Sequence, residues 1–244
     1  MSKAITEASL DTSTAPSLHP LADPNVAPEP ESTGRRLVAI EGLPGSGHSE
    51  FAEWIGQQEG WFTSFPPRRI ELGNAGRTSG LSPLLQQLLD RYELAQSLVG
   101  TDLFRERLVT DQTFATHSLW ARALLPEREW QLYEKIAAVI VPPPVNPDLI
   151  VYLQAPDVHV SEALRRLDRG VEPERWLELA TSYHHHFFGW QECPVLVVRT
   201  QKSLRDATEE ARRALWRQIS DFRGTKMYLM GEGDIWAGGQ PSAD

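Results

Sequence analysis

Residues 37–49 of this 244-residue chain read Leu-Val-Ala-Ile-Glu-Gly-Leu-Pro-Gly-Ser-Gly-His-Ser, an apolar run that passes into a glycine turn and then a helix start. No other stretch constrains the fold as strongly. A buried strand, a glycine turn and a helix N-terminus in that order aim backbone N–H groups at one point and make a cradle for phosphate. The frame Gly42-x-x-x-x-Gly47 is complete, and Ser49 offers a hydroxyl to Mg²⁺. The lysine that ordinarily follows the last glycine is His48. Its ammonium would lie against the β/γ-phosphates, where charge builds during transfer. Gly42, Gly45, Ser46, Gly47, His48 and Ser49 are therefore the candidate nucleotide-binding residues, in a loop better suited to hold phosphate than to transfer it.

The chain is long enough to bury a full core as one domain. Its formal charge of −9 argues against nucleic acid as the main partner, because phosphate backbones select basic faces. Lys3 against Glu7, Asp11, Asp23, Glu29 and Glu31 puts −4 of that charge in residues 1–34, which also hold five prolines and few large apolar residues. Such a segment cannot bury enough surface to offset its ordering entropy and is expected to be a disordered tail. The single cysteine, Cys193, excludes an internal disulfide and a Cys-rich zinc site and is expected to be a packed thiol. No apolar run approaches the ~20 residues of a membrane span. The N-terminus has neither the basic start nor the apolar segment of a secretory signal, so the expected location is cytoplasmic.

From Arg35 onward, short apolar runs alternate with helical periodicity, the pattern of a parallel sheet with helices on both faces. Strands are expected at Leu37–Glu41, Leu108–Asp111, Leu149–Leu153 and Val195–Arg199, with a weaker one near Arg69–Leu72. Helices are expected at 49–58, 83–99, 113–124, 127–140, 157–169, 173–188 and 204–222. Residues 225–237 read as a hairpin, an edge addition or a contact for another subunit. The domain plan is thus a tail at 1–34, one domain at 35–222 and a C-terminal hairpin and tail at 223–244. Trp54, Trp120, Trp130, Trp176 and Trp216 suit the core or a helix interface, and Trp190 and Trp236 suit exposed contact. His184-His185-His186 is not a metal triad, since helical neighbours point ~100° apart.

The series Val109-Thr110-Asp111, Leu125-Pro126-Glu127, Leu132-Tyr133-Glu134-Lys135-Ile136, Pro147-Asp148-Leu149-Ile150-Val151-Tyr152-Leu153, Arg165-Arg166-Leu167-Asp168-Arg169-Gly170 and Trp176-Leu177 through Tyr183 resembles the P-loop deoxynucleoside kinase family. It lies near the bacterial deoxyguanosine and deoxyadenosine kinases, over about residues 35–200. Thymidylate kinases, which share the loop, the acidic third strand and an arginine-bearing lid, are the nearest rival. The resemblance implies an α/β three-layer P-loop kinase fold with a five-stranded parallel sheet. It implies transfer of phosphate from ATP, with Mg²⁺, to the 5′-hydroxyl of a deoxynucleoside, and pairing with a like or related kinase. By resemblance, Ser49 and Asp111 serve the metal, Arg165 and Arg169 are lid arginines on one helix face, and Glu174 steadies them.

The departures from the family pattern share a theme. His48 replaces the loop lysine, and Thr63-Ser64-Phe65-Pro66-Pro67 stands where the family places its general-base glutamate, with Glu71 the next acid. Gln112 replaces the arginine after Asp111, and Val171 a third lid arginine. The base-reading glutamine falls near Ser82, with Gln86 and Gln87 one turn on. Each loss removes positive charge, a proton acceptor or a base contact. The expectation is a deoxynucleoside kinase relative of weak or absent activity, or a non-catalytic protein that binds a nucleotide or a competent kinase partner.

Overall fold

The computed structural model describes residues 36–65, 80–99, 107–140, 146–167 and 173–230. The expected tail, the weak strand near 69–72, Glu71, Arg169, Val171 and Trp236 lie outside the described residues.

Six strands, β1 (Leu37–Gly42), β2 (Phe62–Thr63), β3 (Leu108–Thr110), β4 (Leu149–Gln154), β5 (Val195–Arg199) and β6 (Lys226–Met230), form one sheet in the order β2-β3-β1-β4-β5-β6. Every pairing is parallel, with Leu37 opposite Leu108 and Val38 opposite Leu149. β1 and β4 are buried along almost their whole length, as unbroken Val/Ile/Leu runs demand when both faces are covered. Asp148 fixes the start of β1, its Oδ2 accepting from the N–H groups of Arg36 and Leu37 at 2.7 and 2.8 Å.

Seven helices follow in chain order: α1 (His48–Glu59), α2 (Leu81–Val99), α3 (Thr116–Leu124), α4 (Glu127–Ala137), α5 (Asp157–Leu167), α6 (Pro173–Gly189) and α7 (Glu209–Asp221). The alternation along the strands sorts them. Val38, Ile40, Val151, Leu196 and Val198 face α1 and α7, packing on Phe51, Ile55, Leu215 and Trp216. Ala39, Ile150, Tyr152, Val195 and Val197 face the opposite layer, with Leu88, Trp120, Tyr133, Leu164 and Phe187. Two cores on one sheet make the three-layer α/β fold that the sequence implies.

Several boundaries differ from expectation, two of them for clear local reasons. The helix expected from 113 starts at Thr116, because the Thr113 N–H donates to the Glu41 carboxylate instead. The helix expected over 204–222 is broken. A 3₁₀ turn, Leu204–Asp206, precedes α7, whose start is capped by Thr208 Oγ1 accepting from the Ala211 N–H. β6 pairs in parallel with β5, so the sheet continues past residue 222. It fits the edge-addition reading of the C-terminal segment, and the hairpin's second arm lies outside the described residues. Trp190 is half-buried against the core and donates to Cys193 Sγ at 3.3 Å, which corrects its reading as an exposed contact. Cys193 is a packed thiol, pushed up by burial. Of the three histidines, His184 meets Tyr152 and His186 meets Trp190, while His185 is exposed. Among the described residues no cluster of His, Cys, Asp and Glu suits a metal, and no helix is long and apolar enough to cross a membrane.

Candidate functional site

The carboxyl ends of β1 and β3 open on a cavity of about 550 Å³, at the edge where parallel α/β sheets present ligand sites. The glycine turn between β1 and α1 forms its floor. Gly45 and Gly47 take φ of 93° and 80°, the left-handed region that favours glycine. Both are also hemmed in. A Cβ on Gly45 would come within 2.7 Å of the His159 carbonyl oxygen on α5, and one on Gly47 within 2.7 Å of the Leu204 nitrogen. Gly47 is the N-cap of α1 and has no side chain to cap it, while the Glu50 carboxylate accepts from its own N–H in the first turn.

His48 lines the cavity, but its Nδ1 lies 3.0 Å from Ser46 Oγ, which folds the imidazole back on the turn. Ser49 Oγ donates to Asp111 Oδ2 at 2.6 Å. Asp111 is buried, and its Oδ1 has no hydrogen-bond partner. A desolvated carboxylate oxygen without a donor is costly, and a cation beside it removes that cost. The chemistry of the Ser49–Asp111 pair is compatible with a hard cation such as Mg²⁺ beside it.

Behind Asp111 lies a charged group that the sequence reading passed over. Glu41, 1% exposed, ends β1 and lines the cavity. Its Oε1 accepts from the Thr113 N–H and from Thr116 Oγ1, which binds the turn carrying Asp111 to the central strand. Burial raises its carboxyl to about 7, against the opposing pull of the Thr113 bonds and of Arg91. Arg91, from α2, donates to the Thr113 carbonyl at 2.8 Å and reaches Thr116 Oγ1 at 3.3 Å. An acid inside an unbroken apolar strand, and an arginine between the buried Leu88 and half-buried Tyr92, were the available signals.

The far wall comes from α2, α3 and α6: Gln87, Arg91, Trp120 and Tyr183, with Phe65 from the end of β2. Trp120 Nε1 donates to Tyr183 Oη at 2.6 Å. Gln86 donates to Asp90 and stays on the outer face, and Ser82 is exposed; Gln87 is the glutamine on the cavity, with its Oε1 buried and unpartnered. Where a general-base glutamate was sought, β2 delivers Phe65. Gln112 lines the cavity at the position of the expected arginine.

The lid arginines separate. Arg165 lines a different, smaller hollow of about 70 Å³ with Trp176 and Leu177, while its neighbour Arg166 reaches the main cavity, paired to Glu162. Val160 and Leu164 anchor the buried stripe of α5 and turn Arg165 away from the turn. Glu174 is exposed at the start of α6 and is not on the cavity. The remaining cation on the wall is Arg205, whose Nε donates to Glu50 Oε1 at 2.8 Å. No lysine is among the described residues lining the cavity.

Beside the site, His117 is fully buried, with Nδ1 2.7 Å from Tyr133 Oη, and burial together with the Arg91 charge depresses it to about 2. An unfolded histidine titrates near 6.5, so between about 6.5 and 2 the unfolded chain holds the extra proton and stability falls as the solution is acidified. Glu41 has the opposite sign. Its raised carboxyl binds the extra proton in the folded state between 4.5 and about 7, so its contribution is lost as pH rises through that window. The two offset between about 4.5 and 6.5, and below 4.5 His117 acts alone. In urea titrations from pH 3 to 7, His117→Gln is expected to flatten the acid limb by about one proton, ~1.4 kcal/mol per pH unit. Parallel wild-type and variant curves would contradict this.

The sequence model of the family described as deoxynucleoside kinase matches residues 80–222. No curated protein matches the chain. Among solved structures, deoxyadenosine kinase from M. mycoides with bound dCTP superposes with a TM-score of 0.56 at 13% identity, covering 76% of this chain and 100% of that one. The same enzyme with bound dATP gives a TM-score of 0.54 at 14% identity, covering 75% and 98%. At these identities the likeness is one of fold.

Proposed function

This chain belongs to the deoxynucleoside kinase family, and on that premise we propose that it binds ATP with Mg²⁺ and a deoxynucleoside in the cavity at the carboxyl ends of β1 and β3, and transfers phosphate between them slowly. The observation that carries this reading is the composition of the cavity wall. The glycine turn, the Ser49–Asp111 pair and Gln87 share it, and no lysine is among its described residues.

Each part has a task in that reading. The N–H groups of the glycine turn and of the start of α1 take phosphate oxygens. Ser49 and Asp111 would hold Mg²⁺, which would supply positive charge against the phosphate oxygens. Glu41 and Arg91 act through Asp111 as positioning residues, because they fix the Asp111–Thr116 turn from two sides. Gln87 offers a base edge both an acceptor and a donor, and its buried, unpartnered Oε1 gains a partner when the base arrives. Trp120 and Tyr183 supply aromatic faces for the nucleoside.

Slow transfer follows from what is missing. Phosphoryl transfer rests on electrostatic stabilisation and positioning, and loss of one preorganised group typically costs 10²–10³ in rate. Here the lysine position holds a histidine turned back on Ser46, and the end of β2 holds Phe65 instead of a carboxylate.

Binding is tested by thermal shift with Mg-ATP and with each deoxynucleoside. A site filled at 100 times its Kd adds about 2.7 kcal/mol, a rise of roughly 5–10 °C for a chain of this size. No rise with any of these ligands would contradict the proposal.

A further inference from the structure

We propose that Arg205, on the loop after β5, supplies to the nucleotide's phosphate tail the fixed positive charge that the glycine turn lacks. The inference rests on the nucleotide-binding reading above and names the residue that makes such binding possible.

The loop carrying Arg205 is built onto the turn. The Leu204 N–H donates to the Ser46 carbonyl at 2.8 Å. Gly47 lies so close to the backbone of Leu204 and Arg205 that no side chain fits between them. Arg212, one helix start further on, donates to the carbonyls of Leu204 and Arg205 at 3.0 and 2.9 Å and holds the loop in place. The position of Arg205 relative to the phosphate cradle is thus set by backbone on both sides.

The guanidinium is aimed as well as placed. Its Nε and one N–H of Nη2 both go to Glu50 Oε1, in the first turn of α1. Glu50 ties it to the helix whose N-terminus forms the cradle. Nη1 makes no hydrogen bond among the described residues, and the residue lines the cavity beside Gly47, His48 and Ser49. The planar fork of an arginine can hold a carboxylate with one edge and phosphate oxygens with another. A pair this exposed, at 71% and 30% side-chain accessibility, contributes little to stability, so its value lies in where it holds the charge.

Two other arginines line the same cavity, and Arg91 is committed to the Thr113 carbonyl and Thr116 Oγ1. Arg166 pairs with Glu162 on its own helix and, among the described residues, makes no bond to the turn or to α1. Arg205 is also a binding charge rather than a transfer charge. It sits at an exposed rim and shares its proton donors with Glu50, so it favours bound nucleotide before and during reaction about equally, which tightens binding without accelerating the chemical step.

Calorimetric titration of the full chain with Mg-ATP and with adenosine tests this. Arg205→Gln is expected to weaken ATP about 10–100-fold, the size of a lost charge-assisted contact, and adenosine less than about threefold. Arg205→Lys keeps most of the ATP affinity. Adding His48→Lys to Arg205→Gln recovers most of the ATP affinity that Arg205→Gln loses, which a purely structural role would not allow. Equal loss for ATP and adenosine, unchanged ATP affinity in Arg205→Gln, or no rescue by His48→Lys each overturns the inference and leaves nucleotide binding standing. Failure of the unsubstituted chain to bind ATP overturns both.

Discussion

His48→Lys is expected to raise phosphoryl transfer to the preferred deoxynucleoside about 10²-fold, with a smaller effect on ATP affinity. The scaffold around the position is in place. Ser49 and Asp111 stand 2.6 Å apart, and the turn's two left-handed glycines are set. What the turn itself lacks is a permanent cation that reaches the phosphoryl group in transfer, a place that Arg205 at the rim does not fill. Imidazole has a shorter reach, is mostly neutral at pH 7 unless its surroundings raise it, and here lies back against Ser46 at 3.0 Å. A lysine at the start of α1 carries its charge on a flexible four-carbon stem to where negative charge develops. Because the gain belongs to the transition state, kcat should rise more than KM falls. A variant that binds ATP more tightly without turning over faster would show that the missing carboxylate at the end of β2, and not the cation, limits the rate.

Gly47→Ala is expected to cost about 2–5 kcal/mol of stability and to remove nucleotide-dependent thermal stabilisation. At φ 80° an alanine carries a left-handed penalty of ~1–2 kcal/mol. The added methyl group also meets backbone, not a side chain that could swing aside: the Leu204 nitrogen would be 2.7 Å away. Relief requires the loop after β5 to move, which gives up the 2.8 Å bond from Leu204 to the Ser46 carbonyl and shifts Arg205. Gly60 is the control. It too is left-handed, at φ 67°, but nothing lies within 4 Å of its would-be Cβ, so Gly60→Ala should cost only the conformational term. Urea unfolding of both variants, with thermal shift in Mg-ATP, separates crowding from strain. Equal losses would mean that the loop does not press on the turn.

The strands β1, β4 and β5 were legible because unbroken Val/Ile/Leu runs have one stable setting, a parallel sheet covered on both faces. β2 was not, since two exposed residues, Phe62 and Thr63, carry no periodicity. The meeting of Ser49 with Asp111 was legible because one opens the helix after β1 and the other follows β3, its parallel neighbour in the sheet. Arg165 was misplaced: i, i+4 spacing says which side chains share a face but not where it points, and Val160 and Leu164 decided that. Gln87 was seen only as a neighbour of the expected position, because the choice between it and Gln86 depends on how α2 is turned. Glu41 hid inside an apolar run, where a lone acid is itself a signal, since it must find partners once buried. Arg205 could not be read at all. Its partner Glu50 is 155 residues away, and only the folded sheet brings the two loops together.

The most direct measurement is single-turnover transfer of labelled γ-phosphate from ATP, with Mg²⁺ and purified protein, to each deoxynucleoside in turn. A chain that holds nucleotide without a lysine over the phosphates should transfer at least ~10³-fold below the 1–100 s⁻¹ of ordinary kinases. Transfer within that range to any deoxynucleoside would contradict the account.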